Sequence, residues 1–349
     1  MKMWSVINSG PIVGAKEQSV TFLIFESLIG MKTPTGDHRV SIIIVNWNSG
    51  GLLLEAVRSI ATHYDSAPAR VIIVDNASTD CSLDALQSAV GLPFTPIIVR
   101  NETNNGFGAA CNQGAALAVG DYLLFLNPDT RLFENSLSKP LAFMDDARNG
   151  NVGICGIQLL DESNRPSTSA ARFPTVTSFA AEALGLTKLF PKIFQGNLIK
   201  SLDKGGSGTV DQIIGAFFLI RRTAFEACAG FDEQFFVYFE EVDLSLRVKK
   251  LGLSSHLFTD ATAFHKGGGS SEKVKAARLF YSLRSRIKFA AKHFTPAQTA
   301  AVISLLPVEF TTRVARAVLN RSGSEIIDTA RAYWWLIRSF VGAKHERIR

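Results

Sequence analysis

From residue 40 onward, short continuous apolar runs alternate with segments whose apolar residues recur at helical spacing. The runs of strand length are VSIIIVNW, VIIVD, PIIVR and YLLFLN, beginning at Val40, Val71, Pro96 and Tyr122. The helical patterns between them cover residues 53–63, 82–90 and 107–119. Continuous apolar strands separated by helices are typical of a parallel sheet covered on both faces. The sequence therefore predicts an α/β fold with a mostly parallel central sheet flanked by helices.

Beyond Asp129 the alternation loosens. One further strand is predicted over Gly215–Arg221, and a helix over Glu240–Lys250. Three helical stretches then follow, over residues 273–293, 297–320 and 326–341, the second kinked at Pro307. We expect three parts: an N-terminal extension over residues 1–38, a main domain over 39–270 and a helical C-terminal region over 271–349.

The N-terminal extension shows no clear period, and disorder is one expectation for it. Met31 is an alternative start, which would make residues 1–30 an adventitious extension; mass spectrometry of the native N-terminus tests this hypothesis. No small-residue cleavage site follows the apolar stretch Ser19–Gly30, so we expect no signal peptide. No run reaches the roughly 20 apolar residues of a spanning helix. Four dispersed cysteines without a C-x-x-C argue against a disulfide scaffold and fit a reducing cytosol.

Positive charge is concentrated at the C-terminal end. Residues 273–349 hold 15 Lys and Arg against four Asp and Glu, although the whole chain carries only +6. Such a tail can bind nucleic acid or an anionic membrane surface. Its aromatic residues Tyr333, Trp334 and Trp335 cluster instead of interleaving with the basic residues, so we do not expect nucleic acid. Membrane contact and a helical cap packed on the main domain both remain open.

Polar residues follow all four predicted parallel strands. They are Asn46, Asp75 with Asn76, Asn101, and Asn127 with Asp129. Each alone is consistent with a helix cap or a turn. Ligands of such sheets bind outside the carboxyl ends of the strands. Four polar ends at one edge therefore favour a ligand crevice.

A glycine-rich segment, NNGFGAACNQG from Asn104 to Gly114, joins the third strand to its helix. It contains Gly106-x-Gly108, but Cys111 breaks G-x-G-x-x-G, and no P-loop motif occurs. A dinucleotide fingerprint and a P-loop NTPase are therefore not expected. The glycines either admit a phosphate to the helix start or pack the helix closely on the sheet, and both interpretations stay open.

Acidic residues and one histidine are candidates for chemistry. Asp129, at the end of a buried strand, suits a hard divalent cation that bridges phosphates. Glu240, Glu241 and Asp243 begin a helix, where the macrodipole favours acids but three like charges repel one another. That repulsion favours a base or a cation contact among them. His265 precedes three glycines and is interpreted equally well as a metal ligand or as a structural residue.

The order of these motifs resembles family 2 inverting glycosyltransferases of the GT-A fold, and within them the bacterial rhamnosyltransferase-like branch. The motifs are VSIIIVNWN, VIIVDNASTD, NNGFGAACNQG, YLLFLNPDT, GAFFLIRR and FFVYFEEVDLSLRVKKLG with FHKGG, spanning Val40 to Ser270. The resemblance implies a GT-A nucleotide-sugar-binding fold and makes residues 39–270 the catalytic domain.

The resemblance also implies roles, position by position. Asn46 and Asp75 would hold the base and ribose of the nucleotide, with Asn76 and Gly106 nearby. Asn127 stands at the first acid of the D-x-D motif, which leaves Asp129 as the main carboxylate on Mg²⁺ or Mn²⁺.

Two further roles concern the metal and the proton. His265 matches the family's late metal-ligand histidine. Glu241 matches the general base, where relatives often have Asp, and Asp243 is the rival for that role.

The implied reaction is a single displacement that inverts the anomeric centre. The implied donor is dTDP-L-rhamnose, with UDP-sugars as rivals, and the acceptor is a surface glycan such as O-antigen or a lipid-linked saccharide. We expect a cytoplasmic protein, peripheral at the inner face of the membrane. A non-catalytic nucleotide-sugar- or glycan-binding protein on the same fold is the alternative.

Overall fold

The computed structural model describes residues 39–63, 68–202, 206–267 and 274–340. The N-terminal extension, with the Met31 hypothesis, and residues 341–349 lie outside the described residues. The predicted boundary near residue 270 also falls on an undescribed segment, so the division into domains stays a prediction.

Four parallel strands form one half of the central sheet, as predicted. They are β1 (Val40–Asn46), β2 (Arg70–Asp75), β3 (Ile97–Arg100) and β4 (Tyr122–Leu126), side by side in the order β3-β2-β1-β4. Every residue of β1 is buried, because helices cover both faces of the sheet. Alternate residues of β1 enter different cores, Ile42 and Ile44 on one side and Ile43 and Val45 on the other.

The other half of the sheet is mixed, and most of it was not predicted from the sequence. Beside β4 lies the predicted strand near residue 215, which runs antiparallel to it; β6 and a long last strand follow. The strands of this half are β5 (Thr130–Leu132), β6 (Val152–Leu160), β9 (Gly208–Val210), β11 (Phe217–Arg221) and β12 (Ser254–His265). A separate small sheet has the order β10-β7-β8, from Gln212–Ile213, Ala170–Ala171 and Leu198–Ile199.

Helices form a layer on each face of the central sheet. On one face, α1 (Leu52–His63), α2 (Ser82–Gln87) and α4 (Ser138–Asp145) contribute to the core. On the other face lie α3 (Phe107–Ala116), α7 (Arg222–Ala227) and α8 (Glu240–Lys250). Two short helices, α5 (Val176–Ala183) and α6 (Leu186–Leu189), precede the small edge strand β8. The three helices predicted in the first half therefore form; α1 begins one residue earlier than expected, and α2 and α3 each end three residues earlier.

The C-terminal region is helical, as predicted. It consists of α9 (Lys275–His293), α10 (Pro296–Leu319) and α11 (Gly323–Phe340). A capping box of Thr295 and Gln298 begins α10, and the helix continues through Pro307 without interruption. The three helices share a core that contains Phe280, Leu283 and Leu336. Within the described ranges, no helix combines the length and the apolar character needed to cross a membrane.

A buried ion pair crosses this helical region. Arg286 of α9 and Glu309 of α10 are 5% and 2% exposed, and Arg286 Nη1 lies 2.5 Å from Glu309 Oε2. Arg313 contacts the other oxygen at 2.7 Å. Burial alone would raise the pKa of Glu309, but the two guanidinium groups outweigh it and lower the pKa below its ordinary value. Glu309 therefore stabilises the fold above pH 4.5, and this contribution is lost as the pH falls.

We expect Glu309→Gln to lower the free energy of unfolding by about 3–5 kcal/mol, because the buried Arg286 would lose its closest counter-charge and keep only Glu182 at 3.8 Å. Denaturant unfolding at neutral pH measures the change. The matched control is Glu226→Gln, whose exposed pair with Arg222 should contribute less than about 1 kcal/mol. Equal effects of the two substitutions would contradict this account of the helical region.

Candidate active site

The carboxyl ends of β1 and β2 carry a buried asparagine–aspartate pair. Asn46 and Asp75 are partners in the parallel register, which places both at one edge of the sheet. Asn46 Nδ2 donates to Asp75 Oδ1 at 2.7 Å, and Asp75 Oδ2 accepts from the backbone N–H of Ser78 at 3.2 Å. Both predicted nucleotide-binding residues are thus brought together and held in fixed orientations.

Three serine hydroxyl groups surround Asn46, and the sequence analysis assigned them no role. Ser49 donates to Asn46 Oδ1, while Asn46 Nδ2 donates to Ser78 Oγ at 3.1 Å and to Ser82 Oγ at 2.8 Å. The polar run after β2 was a signal for Ser78. Nothing in the sequence indicated that Ser49 and Ser82 would converge on the same amide.

Asn76 and Gly106 also lie at this edge, as predicted. Asn76 Nδ2 donates to the carbonyl oxygen of Gly106 at 3.0 Å, and Asn101 Nδ2 donates to Asn76 Oδ1 at 2.9 Å. This chain of amides connects the ends of β2 and β3 to the glycine-rich segment. Asn76, Asn101 and Gly106, which the sequence places in three separate segments, therefore form one hydrogen-bonded group.

The glycine-rich segment packs closely on the chain that leads to α8. Gly106 has φ +91°, and a Cβ atom there would collide with the carbonyl oxygen of Phe236. That carbonyl oxygen also accepts a hydrogen bond from the N–H of Phe107 at 2.7 Å. Gly108 lies against Phe231 and Glu240. The close-packing interpretation of these glycines therefore has direct structural support.

Helix α9 holds the same segment from the other side. The ring of Tyr281 stacks on Phe236 with centroids 4.6 Å apart, and Ser285 Oγ donates to the carbonyl oxygen of Val237 at 2.9 Å. Tyr238 and Phe239 then adopt φ values of +67° and +70°, which are strained for large side chains. The chain enters α8 through this constrained turn, so the position of Glu240 and Glu241 depends on contacts from both sides.

Asp129 and His265 meet although 135 residues separate them in the chain. Asn127-Pro128-Asp129 turns the chain from β4 into β5, and β5 pairs with the end of β12, where Thr130 is the partner of His265. His265 Nε2 lies 3.4 Å from Asp129 Oδ1. The side chains are only 14% and 10% exposed. The structure therefore brings together the two residues predicted to bind the metal.

A carboxylate and an imidazole are suitable ligands for a divalent cation such as Mn²⁺. Within the described ranges, no group of three or more His, Cys, Asp or Glu residues has the arrangement of a metal site. Two protein ligands suit a cation that is completed by substrate phosphates and water, as Mg²⁺ sites commonly are. The donor set therefore fits a site that forms together with a bound diphosphate.

Glu240 and Glu241 form an acidic pair at the start of α8, in which Glu240 is buried and Glu241 is partly buried. One oxygen of each carboxyl group is shielded from solvent and has no hydrogen-bond partner among the described residues. Burial, together with repulsion from Glu241, raises the pKa of Glu240 well above its ordinary value. Burial also raises the pKa of Glu241, but backbone N–H groups of the first helical turn oppose the increase. Both carboxyl groups therefore have pKa values above the ordinary value for glutamate.

Asp243 has different surroundings, although it lies on the same helical turn. Its side chain is fully buried, and Arg247 contacts Oδ2 at 2.7 Å. Lys292 Nζ and His293 Nε2 of α9 each lie 2.7 Å from Oδ1. Three basic side chains thus occupy both oxygens, and Asp243 anchors α8 to α9. The i,i+4 spacing was a signal for Arg247, but no local pattern indicated the contacts of Lys292 and His293 with Asp243.

The chain is similar to known proteins in sequence. Residues 41–228 match the family model described as "Glycosyl transferase family 2". Rhamnosyltransferase WbbL of Escherichia coli (strain K12) is 25% identical over 244 residues, covering 69% of this chain and 87% of that protein. An N-acetylglucosaminyl-diphospho-decaprenol L-rhamnosyltransferase of Mycobacterium tuberculosis (strain ATCC 25618 / H37Rv) is 26% identical over 267 residues, covering 72% and 83%.

Similarity extends to a solved structure. The mannosyltransferase PcManGT from Pyrobaculum calidifontis, in complex with GDP-Man and Mn²⁺, has a TM-score of 0.51 at 14% identity. The match covers 95% of this chain and 97% of that chain. At this identity the likeness concerns the fold alone. The predicted α/β GT-A fold, with a mostly parallel central sheet and C-terminal helices, is confirmed.

We expect Gly106→Ala to lower the free energy of unfolding by at least about 2 kcal/mol. The left-handed backbone disfavours a side chain, and the new methyl group would collide with the Phe236 backbone. Denaturant unfolding measures the change. Gly51→Ala is the control, since a Cβ atom there meets nothing within 4 Å. A Gly106→Ala protein as stable as the control would show that this packing is not required.

Proposed function

The chain belongs to glycosyl transferase family 2 and is a glycosyltransferase; from that premise we propose that it transfers L-rhamnose from dTDP-L-rhamnose. The observation that carries the proposed mechanism is the meeting of Asp129 and His265 at the sheet edge that also holds the Asn46–Asp75 pair. Two relatives that cover about 70% of the chain bear rhamnosyltransferase names, which supports the donor sugar. A UDP-sugar donor is the alternative.

In this proposal the nucleotide lies at the carboxyl ends of β1 and β2. Asn46 and Asp75 would bind the base and ribose, with Asn76, Gly106 and Asn127 lining the path toward the diphosphate. The buried hydrogen bonds of Asn46 and Asp75 support this assignment, because groups that are already oriented lose little freedom when a ligand binds. Parallel strands present these groups on the same edge.

Asp129 and His265 would hold a divalent cation, Mg²⁺ or Mn²⁺, together with the diphosphate of the donor. When bound, such a cation supplies charge neutralisation for the departing nucleoside diphosphate. The low exposure of both side chains supports the assignment, because a water-poor site strengthens charge interactions.

Glu241 would take the proton of the acceptor hydroxyl group as that oxygen attacks the anomeric carbon. The raised pKa values of the pair support this role, because a carboxylate whose pKa lies above the ordinary value is a better proton acceptor. Asp243 is the weaker candidate, because three basic side chains already occupy it. A single displacement with Glu241 as base inverts the anomeric centre, and it needs no enzyme nucleophile.

The acceptor would be a lipid-linked saccharide or a growing surface glycan such as O-antigen. The name of the mycobacterial relative, which specifies a diphospho-decaprenol acceptor, supports a lipid-linked substrate for this chain. We therefore place the protein at the inner face of the cytoplasmic membrane, bound peripherally to anionic lipid.

We expect Glu241→Gln to reduce kcat by at least about a hundredfold while leaving the affinity for dTDP-L-rhamnose nearly unchanged. The amide keeps the shape of the side chain but cannot accept the proton in the transition state. Nucleoside diphosphate release in the presence of acceptor measures turnover, and calorimetry measures donor binding.

The control for Glu241→Gln is Glu226→Gln, an exposed glutamate on α7 that should leave both quantities unchanged. Unchanged turnover in Glu241→Gln would remove Glu241 as the base. Donor binding without turnover in the unmodified protein, over a range of acceptors, would favour the non-catalytic binding protein.

We expect Asp129→Asn to weaken Mn²⁺ binding in the presence of nucleoside diphosphate by more than about tenfold. Loss of a direct carboxylate ligand should cost at least as much as the loss of an outer-sphere partner. Titration with Mn²⁺, followed by electron paramagnetic resonance, measures the affinity. Asp161→Asn, in an exposed turn, is the control. Equal Mn²⁺ affinity of the two variants would exclude Asp129 as a ligand.

A further inference from the structure

An exposed apolar surface lies between α5 and β8. Six large apolar side chains within fifteen residues are exposed to solvent: Leu184, Leu189, Phe190, Ile193, Phe194 and Leu198. Ile193, Leu189 and Leu198 are 74%, 69% and 67% exposed. We call these six residues the 184–198 surface. Concentrated exposure of this kind marks an interaction site, because soluble monomers rarely maintain large apolar patches.

The backbone of this segment is ordered by its own hydrogen bonds. The N–H of Phe190 donates to the carbonyl oxygen of Leu186 at 2.8 Å, and the N–H of Phe194 donates to that of Phe190 at 2.9 Å. Arg172 binds the returning chain through Gln195 Oε1 at 3.1 Å. The apolar side chains are therefore carried by consecutive hydrogen-bonded turns, and Arg172 holds the C-terminal end of the segment.

The charged residues within this segment are all positive. Lys188, Lys192 and Lys200 interleave with the apolar residues, and no Asp or Glu occurs from residue 183 to 200. Apolar side chains flanked by lysines match the interface of an anionic bilayer, where the apolar groups enter the acyl boundary and the amines meet headgroups. A two-fold contact with a second copy would bring the lysines of both copies together, which is unfavourable.

We propose that the 184–198 surface docks the protein on an anionic phospholipid bilayer. The proposal rests on the proposed function for its purpose, which is to bring the site to a lipid-linked acceptor. Helix α5 leads directly into the surface, and its buried Phe179 packs with its ring centroid 6.3 Å from that of Phe239. Phe239 immediately precedes Glu240. One short helix thus connects the docking surface to the acidic pair.

The basic tail, which the sequence analysis considered for membrane contact, has a weaker claim. On α11, Tyr333 and Leu336 are buried against α9, and Arg338 stacks over the exposed ring of Trp334 at 4.7 Å. Within Gly323–Phe340 the two arginines are balanced by Glu325 and Asp328. This helix therefore presents exposed apolar residues without net positive charge, in contrast to the 184–198 surface.

The test is flotation of the full chain with vesicles of phosphatidylethanolamine and phosphatidylglycerol. The double variant Leu189→Ser/Ile193→Ser should reduce partitioning by more than about tenfold, because two large apolar side chains no longer enter the bilayer. The matched control, Ile327→Ser/Ile337→Ser on α11, changes two residues that are 58% and 62% exposed, and should change partitioning less than about twofold. Lys188→Gln and Lys192→Gln should each weaken binding about fivefold, and only when phosphatidylglycerol is present.

Several outcomes would overturn the proposal. The first is that the unmodified chain does not float with the vesicles. The second is that both double variants lose the same share of vesicle partitioning, and the third is that only the α11 variant loses it. Sedimentation of the protein without vesicles tests the other occupant, a second copy of the chain. If the unmodified chain is a dimer and Leu189→Ser/Ile193→Ser is a monomer, the surface is a dimer interface and the membrane proposal is wrong. Donor turnover in solution separates the two proposals, because it should be unchanged in this variant. Vesicle binding without turnover by the unmodified chain would overturn the proposed function and leave the docking surface standing.

Discussion

The close contact between the backbones of Gly106 and Phe236 holds the two halves of the candidate site together. On one side of it lie the ends of the parallel strands, linked to Gly106 through the amide of Asn76. On the other side lies the chain that turns into α8 and carries Glu240 and Glu241. A side chain at Gly106 would separate these two parts. The position of the acidic pair relative to the sheet edge therefore depends on a residue without a side chain, Gly106.

Helix α8 carries three neighbouring carboxyl groups, of Glu240, Glu241 and Asp243, whose surroundings differ. Asp243 is neutralised by basic side chains from its own helix and from α9, so its charge is used to join two elements. Glu240 is buried and Glu241 is partly buried, neither has a basic partner among the described residues, and the pKa values of both are raised. A carboxyl group that is not neutralised is available for proton transfer. The C-terminal helices thus contribute to the site indirectly, by fixing the helix on which the acidic pair stands.

The parallel half of the fold could be predicted because each of its strands is a continuous apolar run that ends in polar residues. The polar strand ends also predicted a ligand crevice at the edge of this half. The family resemblance then implied that Asp129 and His265 bind the same metal ion. The mixed half could not be predicted in the same way. Strand β12 alternates between buried and partly exposed residues over 12 positions and combines parallel, antiparallel and bulged pairing. Its position depends on β6, not on its own composition.

Contacts that depend on tertiary packing were also beyond the sequence. Lys292 and His293 reach Asp243 across about 50 residues, and no local pattern indicates this. The exposure of Leu189 and Ile193 was equally hidden, because apolar residues in a loop ordinarily predict burial. The sequence analysis left membrane contact and a helical cap open for the basic tail, and it did not consider the exposed apolar residues of the 184–198 surface.

The central claim is that the sheet edge and the Asp129–His265 pair bind a nucleotide-sugar together with a divalent cation. The most direct test is nucleoside diphosphate release from a panel of dTDP- and UDP-sugars, with Mg²⁺ or Mn²⁺ and with a chelator. The account predicts slow release from one donor, dTDP-L-rhamnose, that stops when the chelator is added. Release that continues at the same rate in the chelator, or a panel in which no donor is hydrolysed or bound by calorimetry, would contradict it.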